Sequence, residues 1–284
     1  MDRNPLIVVD ANNACHIAFH SMGELSHYEA KTGVVFGFFG TLLKLWEKFH
    51  STNFVFCWDS RKRFRSSIYP QYKANRLAIS TPAERKVISD QMSALRQEIL
   101  PAFGFKNNFL QTGYEADDLI AQVVLTFRNE FIVVSTDKDL LQLLAVAACK
   151  FIYNIRTKTK TDRDDFELAY DISPFDWKRV KAMAGDTSDN VPGVAGVGEK
   201  SAIAFLKGKL KGKRYADILN AKEILARNLL LMELPLRWPG HPIVLPELAE
   251  NELSLDKMVD VFDQHGFQSF LRDSNFTKWK EMVK

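Results

Sequence analysis

Carboxylates are the residues of this sequence best suited to chemistry, because they occur in clusters. Asp10 and Asp59 each end a short apolar run, and "STDKD" follows a third such run. More acids stand in "GYEADDLIA" and "GDTSDN". One acid per helix is explained by N-capping or by the helix dipole, but capping does not require "EADD" or "DKD". The candidates for a second role are Asp10, Asp59, Glu115, Asp117, Asp118, Asp137, Asp139, Asp186 and Asp189.

Metal binding is the role that such a set of acids indicates. Carboxylates gathered at one site repel one another and raise their own pKa values unless cations neutralise them. Oxygen donors without adjacent Cys or His favour Mg²⁺ or Mn²⁺ over zinc. His16 and His20 are four residues apart, but Ile17 stands where a zinc-protease helix has Glu, so we interpret this pair as structural. Two ions about 4 Å apart would serve phosphodiester cleavage.

A parallel sheet is the element predicted to position these acids. "PLIVV", "NFVFCW", "FIVVST" and "CKFIYN" predict strands, with helical patterns at 34 to 49, 82 to 100 and 115 to 129 between them. The alternation predicts an α/β fold with a mostly parallel central sheet and flanking helices over residues 1 to 170. Residues 171 to 284 carry helical spacing throughout. Because parallel strands open onto one crevice at their carboxyl ends, the acids are expected at one rim.

A basic stretch without acids, "RKRFRSSIYPQYKANR", follows directly after Ser60. Basic groups contact phosphates and aromatic faces stack on unpaired bases, so this composition predicts a path for single-stranded nucleic acid. The alternative is a solvated surface loop whose aromatic residues belong to the core. The basic candidates are Arg61, Lys62, Arg63, Arg65, Lys73 and Arg76, and the aromatic residues among them are Phe64, Tyr69 and Tyr72.

The glycine-rich stretch "GDTSDNVPGVAGVGEKSA" differs from a nucleotide-binding P-loop. Glu199 occupies the position of the P-loop lysine. Lys200 and Ser201 therefore stand one residue further along the chain than the Lys and the Ser or Thr of a P-loop. Gly193, Gly196 and Gly198 permit close backbone approach, so their N–H groups and the following helix N-terminus suit a phosphate contact. Further along, "KGKLKGKR" at 207 to 214 is interpreted as an exposed loop that either extends a duplex contact or is merely solvated.

Net charge, cysteine spacing and the length of apolar runs restrict the classes of protein to which this chain can belong. Lys and Arg number 38 against 35 Asp and Glu, and the net charge of +3 is too small to indicate a nucleic-acid binder by itself. The three cysteines are widely spaced among apolar residues, which suits reduced core thiols. No apolar run approaches the ~20 residues of a membrane span. We expect a soluble, cytoplasmic protein without a membrane partner.

Six ordered motifs resemble the 5′ nuclease, or flap endonuclease, family, which includes the 5′ nuclease domain of bacterial DNA polymerase I and stand-alone phage enzymes. They are "IVVDANN", "FCWDS", "YPQYKANR", "GYEADDLIA", "VVSTDKDLLQLL" and "MAGDTSDNVPGVAGVGEKSA", and they run over nearly the whole chain. Ser60 and Ala11 stand where many relatives have Gly. The resemblance implies a stand-alone, structure-specific 5′ nuclease with a PIN-like core.

The resemblance also implies roles for residues and partners. The nine acids would form the metal centre, with Asp10 and Asp117 catalytic, and Lys73 and Arg76 would contact the scissile phosphate below a basic arch at about 61 to 95. Tyr72 would stack on a displaced base. Residues 190 to 202 would form a helix-hairpin-helix-type duplex contact with a potassium ion. The substrate would be DNA with a 5′ flap, nick or RNA primer, the enzyme a monomer, and the candidate partners a replicative polymerase or single-strand-binding protein.

Three rival functions are distinguishable by simple observations. A P-loop NTPase would be stabilised thermally by nucleotide. A DNA-binding module without catalysis would keep its affinity when Asp10 and Asp117 are changed to Asn. A metal-dependent ribonuclease would prefer single-stranded RNA, but this alternative leaves the glycine-rich stretch and the helical half unexplained.

Overall fold

The centre of the protein is a six-stranded sheet, seen in a computed structural model that describes residues 5–23, 25–27, 30–78 and 80–284. The strand order is β5-β4-β1-β6-β7-β8, parallel except for β8, which pairs antiparallel with β7. The α/β prediction with a mostly parallel sheet is confirmed. The strands are β1 Leu6–Asp10, β4 Phe54–Cys57, β5 Asn108–Phe109, β6 Phe131–Val134, β7 Cys149–Asn154 and β8 Thr159–Thr161, and two short ribbons add β2 Ser26–His27, β3 Ala30–Lys31, β9 Gly185–Asp186 and β10 Val191–Pro192.

Helices connect the parallel strands, as right-handed crossover units require. Thr81 and Glu84 form a capping box at the start of α4, and the helix that begins within "GYEADDLIA" starts at Ala116. The expected basic arch includes Ile79, which lies outside the described residues. The α-helices of this part are α1 Ala11–Met22, α2 Gly33–Phe49, α3 Arg65–Ile68, α4 Pro82–Ala94, α5 Leu100–Phe103, α6 Ala116–Thr126 and α7 Arg163–Tyr170, with a π-helix at Leu95–Ile99 and 3₁₀-helices at Ala74–Ala78 and Lys138–Ala145.

The three central strands β1, β4 and β6 are buried on both faces, which explains why they are almost entirely apolar, whereas the edge strand β8 is polar. In β1, Leu6 and Val8 belong to the core on one face, whereas Ile7 and Val9 belong to the core on the other. Residues of a strand alternate between faces, so this single strand anchors both layers. The C-terminal helices pack into the second of these cores through Phe262 and other apolar residues.

The last 110 or so residues are helical, as the sequence predicts. Residues 233–254 are the exception, because they run without a helix or strand back along the edge of the sheet, where Asn107 exchanges hydrogen bonds with Ala249. The division at about residue 170 stays a prediction. The helices are α8 Trp177–Ala184, α9 Glu199–Leu206, α10 Lys213–Asn220, α11 Lys222–Met232, α12 Leu255–Gln264 and α13 Asp273–Met282, preceded by a 3₁₀-helix at Pro174–Asp176.

None of the helices in the described ranges is both long and apolar enough to cross a membrane.

Candidate active site

Three neighbouring strands deliver acids to one edge of the sheet. Asp10 is the last residue of β1, Asp59 follows β4 by two residues, and Asp137 follows β6 by three. Asp10 pairs with Cys57 of β4, and Val9 pairs with Val134 of β6, so the three strands end at the same level. The structure therefore brings these acids to the carboxyl edge, where open parallel sheets bind ligands.

Two asparagines directly after Asp10 hold the neighbouring acid-bearing loops. Asn12 Oδ1 accepts the backbone N–H of Asp59 at 2.9 Å. Asn13 donates to Thr136 Oγ1 at 2.7 Å and accepts the Thr136 N–H at 3.1 Å. Sequence reasoning missed both residues. The signal available was their position in the first turn of α1, directly behind a strand-ending acid.

Ser135 is a further positioning residue that sequence reasoning missed. Its Oγ donates to Asp10 Oδ2 at 2.8 Å and accepts the N–H of Asp137 at 3.1 Å. Ser135 is buried, so these bonds are shielded from water. One hydroxyl thereby fixes the acids of β1 and of the loop after β6 relative to each other.

Four of the acids, which we call the rim quartet, are held in an environment that disfavours their charge; they are Asp10, Asp117, Asp137 and Asp139. Burial raises the pKa of Asp10 to about 7, with repulsion from Asp59 adding to it and the bond from Asn13 opposing it. Burial and then the charge of Asp137 raise the pKa of Asp139 to about 7 and hold that of Asp117 well above its usual range. Burial also raises the pKa of Asp137. Repulsion from Asp137 acts on each of the other three acids, which groups them around Asp137.

A second group of acids, the paired trio of Glu115, Asp118 and Asp189, is neutralised by the protein's own cations. Lys73 Nζ lies 2.6 Å from Glu115 Oε1 and 3.6 Å from Asp189 Oδ2. Arg76 Nη2 lies 2.6 Å from Asp189 Oδ1. Although burial opposes ionisation, Lys73 and then Arg65 hold the pKa of Glu115 at about 2.

Lys73 has a backbone conformation that few non-glycine residues adopt. Its φ is 57°, in the left-handed region, and its N–H donates to the carbonyl of Asp189 at 2.8 Å. Such conformations cost of order 1 kcal/mol or more and persist where surrounding contacts enforce them. The base of the expected arch is therefore tied to the segment that carries Asp189 by main-chain as well as side-chain bonds.

Arg65 and Asp118 form a buried ion pair, which differs from the predictions made for both. Arg65 Nη1 and Nη2 lie 2.5 Å and 2.8 Å from the two oxygens of Asp118, and Arg65 Nε donates to the carbonyl of Leu231 at 2.8 Å. Asp118 also accepts the N–H groups of Glu115 and Leu236. The exposed fractions are 3% for Arg65 and 0% for Asp118. Arg65 is thus shielded from DNA, and Asp118 has no free oxygen for a metal ion.

Tyr72 is also a correction to the sequence prediction. Its exposed fraction is 7%, and its hydroxyl lies 2.8 Å from Glu115 Oε2 and 2.9 Å from Asp189 Oδ2. A ring held in this way is not available to stack on a base. Phe64 is buried as well and stacks on Trp238 at a centroid distance of 4.7 Å. Phe64 and Tyr72 therefore follow the alternative interpretation and belong to the core, whereas Tyr69 is only partly buried.

The other basic candidates of this stretch differ in exposure. Arg61 and Lys62 are exposed, and Arg76 is about half exposed with 44% of its side chain accessible. Arg63 is partly buried, and its Nε lies 3.0 Å from Glu115 Oε1. The cations that remain accessible for a phosphate are those at the two ends of the stretch.

Asp139 and Asp186 share Lys181, on the side of the site formed by the helical region. Lys181 Nζ lies 3.1 Å from Asp139 Oδ1 and 2.5 Å from Asp186 Oδ2. The bonds from Lys181 and Ser188 lower the pKa of Asp186 against the effect of burial. A pocket of about 310 Å³ opens here, lined by Asn13, Thr136, Asp137, Lys138, Lys181, Asp186 and Ser188.

The glycine turn at 193 to 198 divides into a packed and an open part. A Cβ at Gly193 would lie 2.3 Å from the carbonyl carbon of Ala184, so this glycine is required for packing. Gly196 has φ +72°, and neither it nor Gly198 has any heavy atom within 4 Å of a Cβ. Gly198 precedes α9, where Lys200 is exposed and Ser201 partly buried. The open part can be approached by a ligand's backbone.

The carboxylate oxygens of the rim quartet are chemically suited to bind divalent cations. The rim quartet presents hard oxygen ligands whose raised pKa values would fall beside a cation. Within the part of the chain that the structure describes, no three His, Cys, Asp or Glu side chains already converge as a ready-made metal site. Lys73 and Lys181 lie between the acids instead.

A family model described as the 5′-3′ exonuclease, N-terminal resolvase-like domain, matches residues 5–171. This chain belongs to the 5′-3′ exonuclease family. The 5′-3′ exonuclease of Bacillus subtilis (strain 168) is 36% identical over 220 residues, which cover 73% of this chain and 71% of the relative. DNA polymerase I of the same organism is 31% identical over 294 residues, covering 95% of this chain and 32% of the polymerase. The chain thus spans about a third of the length of that polymerase.

Solved structures of other proteins share the fold over nearly the whole chain. The T5 D15 protein co-crystallised with metal ions has a TM-score of 0.66 at 20% identity, covering 98% of this chain and 99% of the T5 chain. The catalytic core of Rad2 in complex with DNA substrate has a TM-score of 0.58 at 16% identity, covering 93% and 89%. The predicted resemblance to the 5′ nuclease family is confirmed.

Proposed function

We propose that this chain is a divalent-metal-dependent 5′ nuclease that hydrolyses phosphodiesters of branched, nicked or RNA-primed duplex DNA. The observation that carries the proposal is the rim quartet, a set of acids with raised pKa values at the carboxyl edge of the sheet. Family membership supports the same activity, because one relative is named 5′-3′ exonuclease and one similar structure is a flap endonuclease in complex with DNA and metal ions.

The rim quartet, together with Asp59 and Asp186, would hold two divalent cations, Mg²⁺ or Mn²⁺. When bound, such ions supply an activated water and stabilise the leaving oxygen. Glu115 and Asp189 are candidate ligands only after exchange with Lys73 and Arg76, because these cations occupy their oxygens. Asp118 is not part of the proposed metal set.

Binding and orientation of the substrate fall to basic groups next to the acids. Arg76 is half exposed at the edge of the site and is proposed to hold the scissile phosphate. Lys73, whose side chain is 8% accessible and paired with Glu115, is proposed to join it once that pair opens. Water would attack phosphorus, the P–O bond to the leaving strand would break, and the departing oxygen would take up a proton. The exposed Gly196 and Gly198, with Lys200, are proposed to contact the duplex backbone in a helix-hairpin-helix manner.

Cleavage assays test this proposal directly. The substrates are 5′-labelled flap, nicked, blunt-duplex and single-stranded DNA, each with Mg²⁺, with Mn²⁺ and with chelator. We expect metal-dependent cutting near the flap junction that Asp117→Asn abolishes. Asp164→Asn is the matched control, because Asp164 is exposed in α7, and it should cut like the wild type.

Two of the three rival functions have their own result in these assays. Flap DNA left intact under every metal, with tight binding retained by Asp117→Asn, would leave a DNA-binding protein. Preferential cutting of single-stranded RNA would indicate a ribonuclease. Replacing K⁺ by Na⁺ in the same assay tests the potassium ion at the glycine turn. A place in replication or repair is proposed from the substrate class alone.

A further inference from the structure

A basic loop joins α9 to α10, and glycines set its shape. We define the basic loop as Gly208–Arg214. Gly208 and Gly212 have φ values of +67° and +74°, and a Cβ at either would meet nothing within 4 Å. The N–H groups of Lys209 and Leu210 both donate to the carbonyl of Ala204, at 2.8 Å and 3.0 Å, which fixes the loop to the end of α9.

Alternation within the loop directs its lysines outward. Leu210 is partly buried against the core, whereas Lys209 and Lys211 on either side of it are exposed. Lys213 and Arg214 at the end of the loop are exposed as well. The loop is therefore ordered by one apolar anchor and two left-handed glycines, and it presents four cations to solvent.

Within the described ranges, the protein does not neutralise these four cations. Lys207, just before the loop, pairs with Asp171. Among the residues that the structure describes, no carboxylate lies within 4.0 Å of the charged groups of Lys209, Lys211, Lys213 or Arg214. Four like charges in six residues repel one another, so their concentration favours an anionic partner.

Helix stability does not explain the position of the last two cations. Lys213 and Arg214 lie in the first turn of α10, which has no acid there and no side-chain cap. The helix dipole disfavours positive charge at this end. The positive charges of Lys213 and Arg214 therefore weaken α10 slightly. Binding of an anionic partner explains their position better than helix stability does.

The distance between the basic loop and the glycine turn suits a DNA duplex. The two lie at opposite ends of α9, whose eight residues span about 12 Å at 1.5 Å per residue. The major groove of B-DNA is about 12 Å wide. Phosphates on the two sides of one groove can therefore meet the glycine turn and the basic loop at the same time.

We propose that the basic loop is a second phosphate-binding site. It binds duplex DNA on the opposite side of one groove from the phosphates that the glycine turn contacts. This inference rests on the proposed nuclease function and deepens it, because it assigns the loop to the duplex part of the substrate. Phosphate contacts of this kind position the protein and carry no sequence preference.

The test compares a loop variant with a charge-matched control. The loop variant is K209Q/K211Q/K213Q/R214Q, and the control is K44Q/K158Q/K257Q/K280Q, whose lysines are exposed elsewhere on the surface. Both lose the same total charge. Affinity for flap DNA is measured by fluorescence anisotropy in chelator, over a salt series and over a series of duplex lengths, and cleavage is measured at saturating enzyme.

For the loop variant we expect affinity about tenfold weaker at low salt, and a slope of log K against log salt that is shallower by about 3 to 4. Its affinity should stop increasing at a shorter duplex length than that of the wild type. Binding of single strands, the cleavage rate at saturation and the melting temperature should stay at the wild-type level.

Two results would overturn the proposal in distinguishable ways. A loop variant that matches the control in affinity, slope and duplex-length dependence, while the wild type cuts flap DNA, would show that the loop is only solvated. A wild type that neither binds nor cuts flap DNA would remove the proposed function, and the loop inference with it.

Discussion

Asp117 and Asp118 are neighbours in the sequence, yet they belong to opposite electrostatic environments. Asp117 is in the rim quartet, where burial and the charges of Asp137 and Asp10 raise its pKa. Asp118 is in the paired trio, where Arg65 binds both of its oxygens. The difference teaches that acids crowded at one rim serve two purposes. The trio attaches the base of the expected arch and the helical region to the sheet, whereas the quartet is proposed to bind external cations.

The largest expected effect comes from breaking the trio. Arg65→Met should lower the free energy of unfolding by about 3–5 kcal/mol, because it leaves Asp118 charged and buried without a partner. Denaturant unfolding measures this change. Arg61→Met is the control, since Arg61 is exposed, and should cost less than about 0.5 kcal/mol.

A second variant keeps this prediction testable if Arg65→Met does not fold. Arg65→Met combined with Asp118→Leu removes both charges and should recover part of the loss. A single variant as stable as the wild type would contradict the structural role assigned to the pair.

The effects of Mg²⁺ and pH on the stability of the protein test whether the rim quartet binds the metal. The pKa values of Asp10 and Asp139 are about 7 in the folded protein, whereas the ordinary pKa of an aspartic acid is 3.8. The stability that these groups contribute in their protonated form is therefore lost as pH rises from about 4 to 7. Mg²⁺ competes with these protons and should stabilise the protein more at pH 8 than at pH 5. The gain is about 2.7 kcal/mol at a hundredfold excess over Kd.

Thermal melting with MgCl₂, against NaCl of equal ionic strength, measures this gain. An identical shift at both pH values would contradict the quartet as the binding site.

Matched substitutions in the two groups should move the melting temperature in opposite directions. In chelator at pH 8, Asp117→Asn should raise it, because Asn replaces a buried carboxyl group whose ionisation burial and the neighbouring acids disfavour. Asp189→Asn should lower it, because Lys73 and Arg76 lose a partner, at a cost of about 1–3 kcal/mol. For a chain of this size, 1 kcal/mol corresponds to about 2–4 °C. Shifts of the same sign would remove the distinction between the groups.

The smallest effect is expected for the hydroxyl that links two members of the quartet. Ser135→Ala should cost about 1.5 kcal/mol through the lost bonds to Asp10 and Asp137. It should also weaken the apparent affinity for Mg²⁺ about tenfold or more, as loss of an outer-shell partner does. Ser21→Ala, which loses only bonds to the carbonyls of its own helix, is the control. Equal titration midpoints for both variants would count against a positioning role.

The sheet and its acidic rim were predictable because apolar runs and strand-ending acids are local signals. The burial of Arg65 and Tyr72 was not, because composition identifies a basic stretch without showing which side chain turns inward. Their partners, Asp118 and Glu115, lie more than 40 residues away in the chain. The short strands β5 and β8 were also missed, since two or three residues give no periodicity.

The hydrogen bonds of Asn12 and Asn13 set a limit on how this protein can be engineered. Both loops that carry acids take their position from the first turn of one helix. A single residue inserted between Asp10 and Asn12 would rotate that turn by about 100° and detach both loops at once. Loop grafts and length changes are therefore best made outside the first turn of α1 and outside the two loops that it holds.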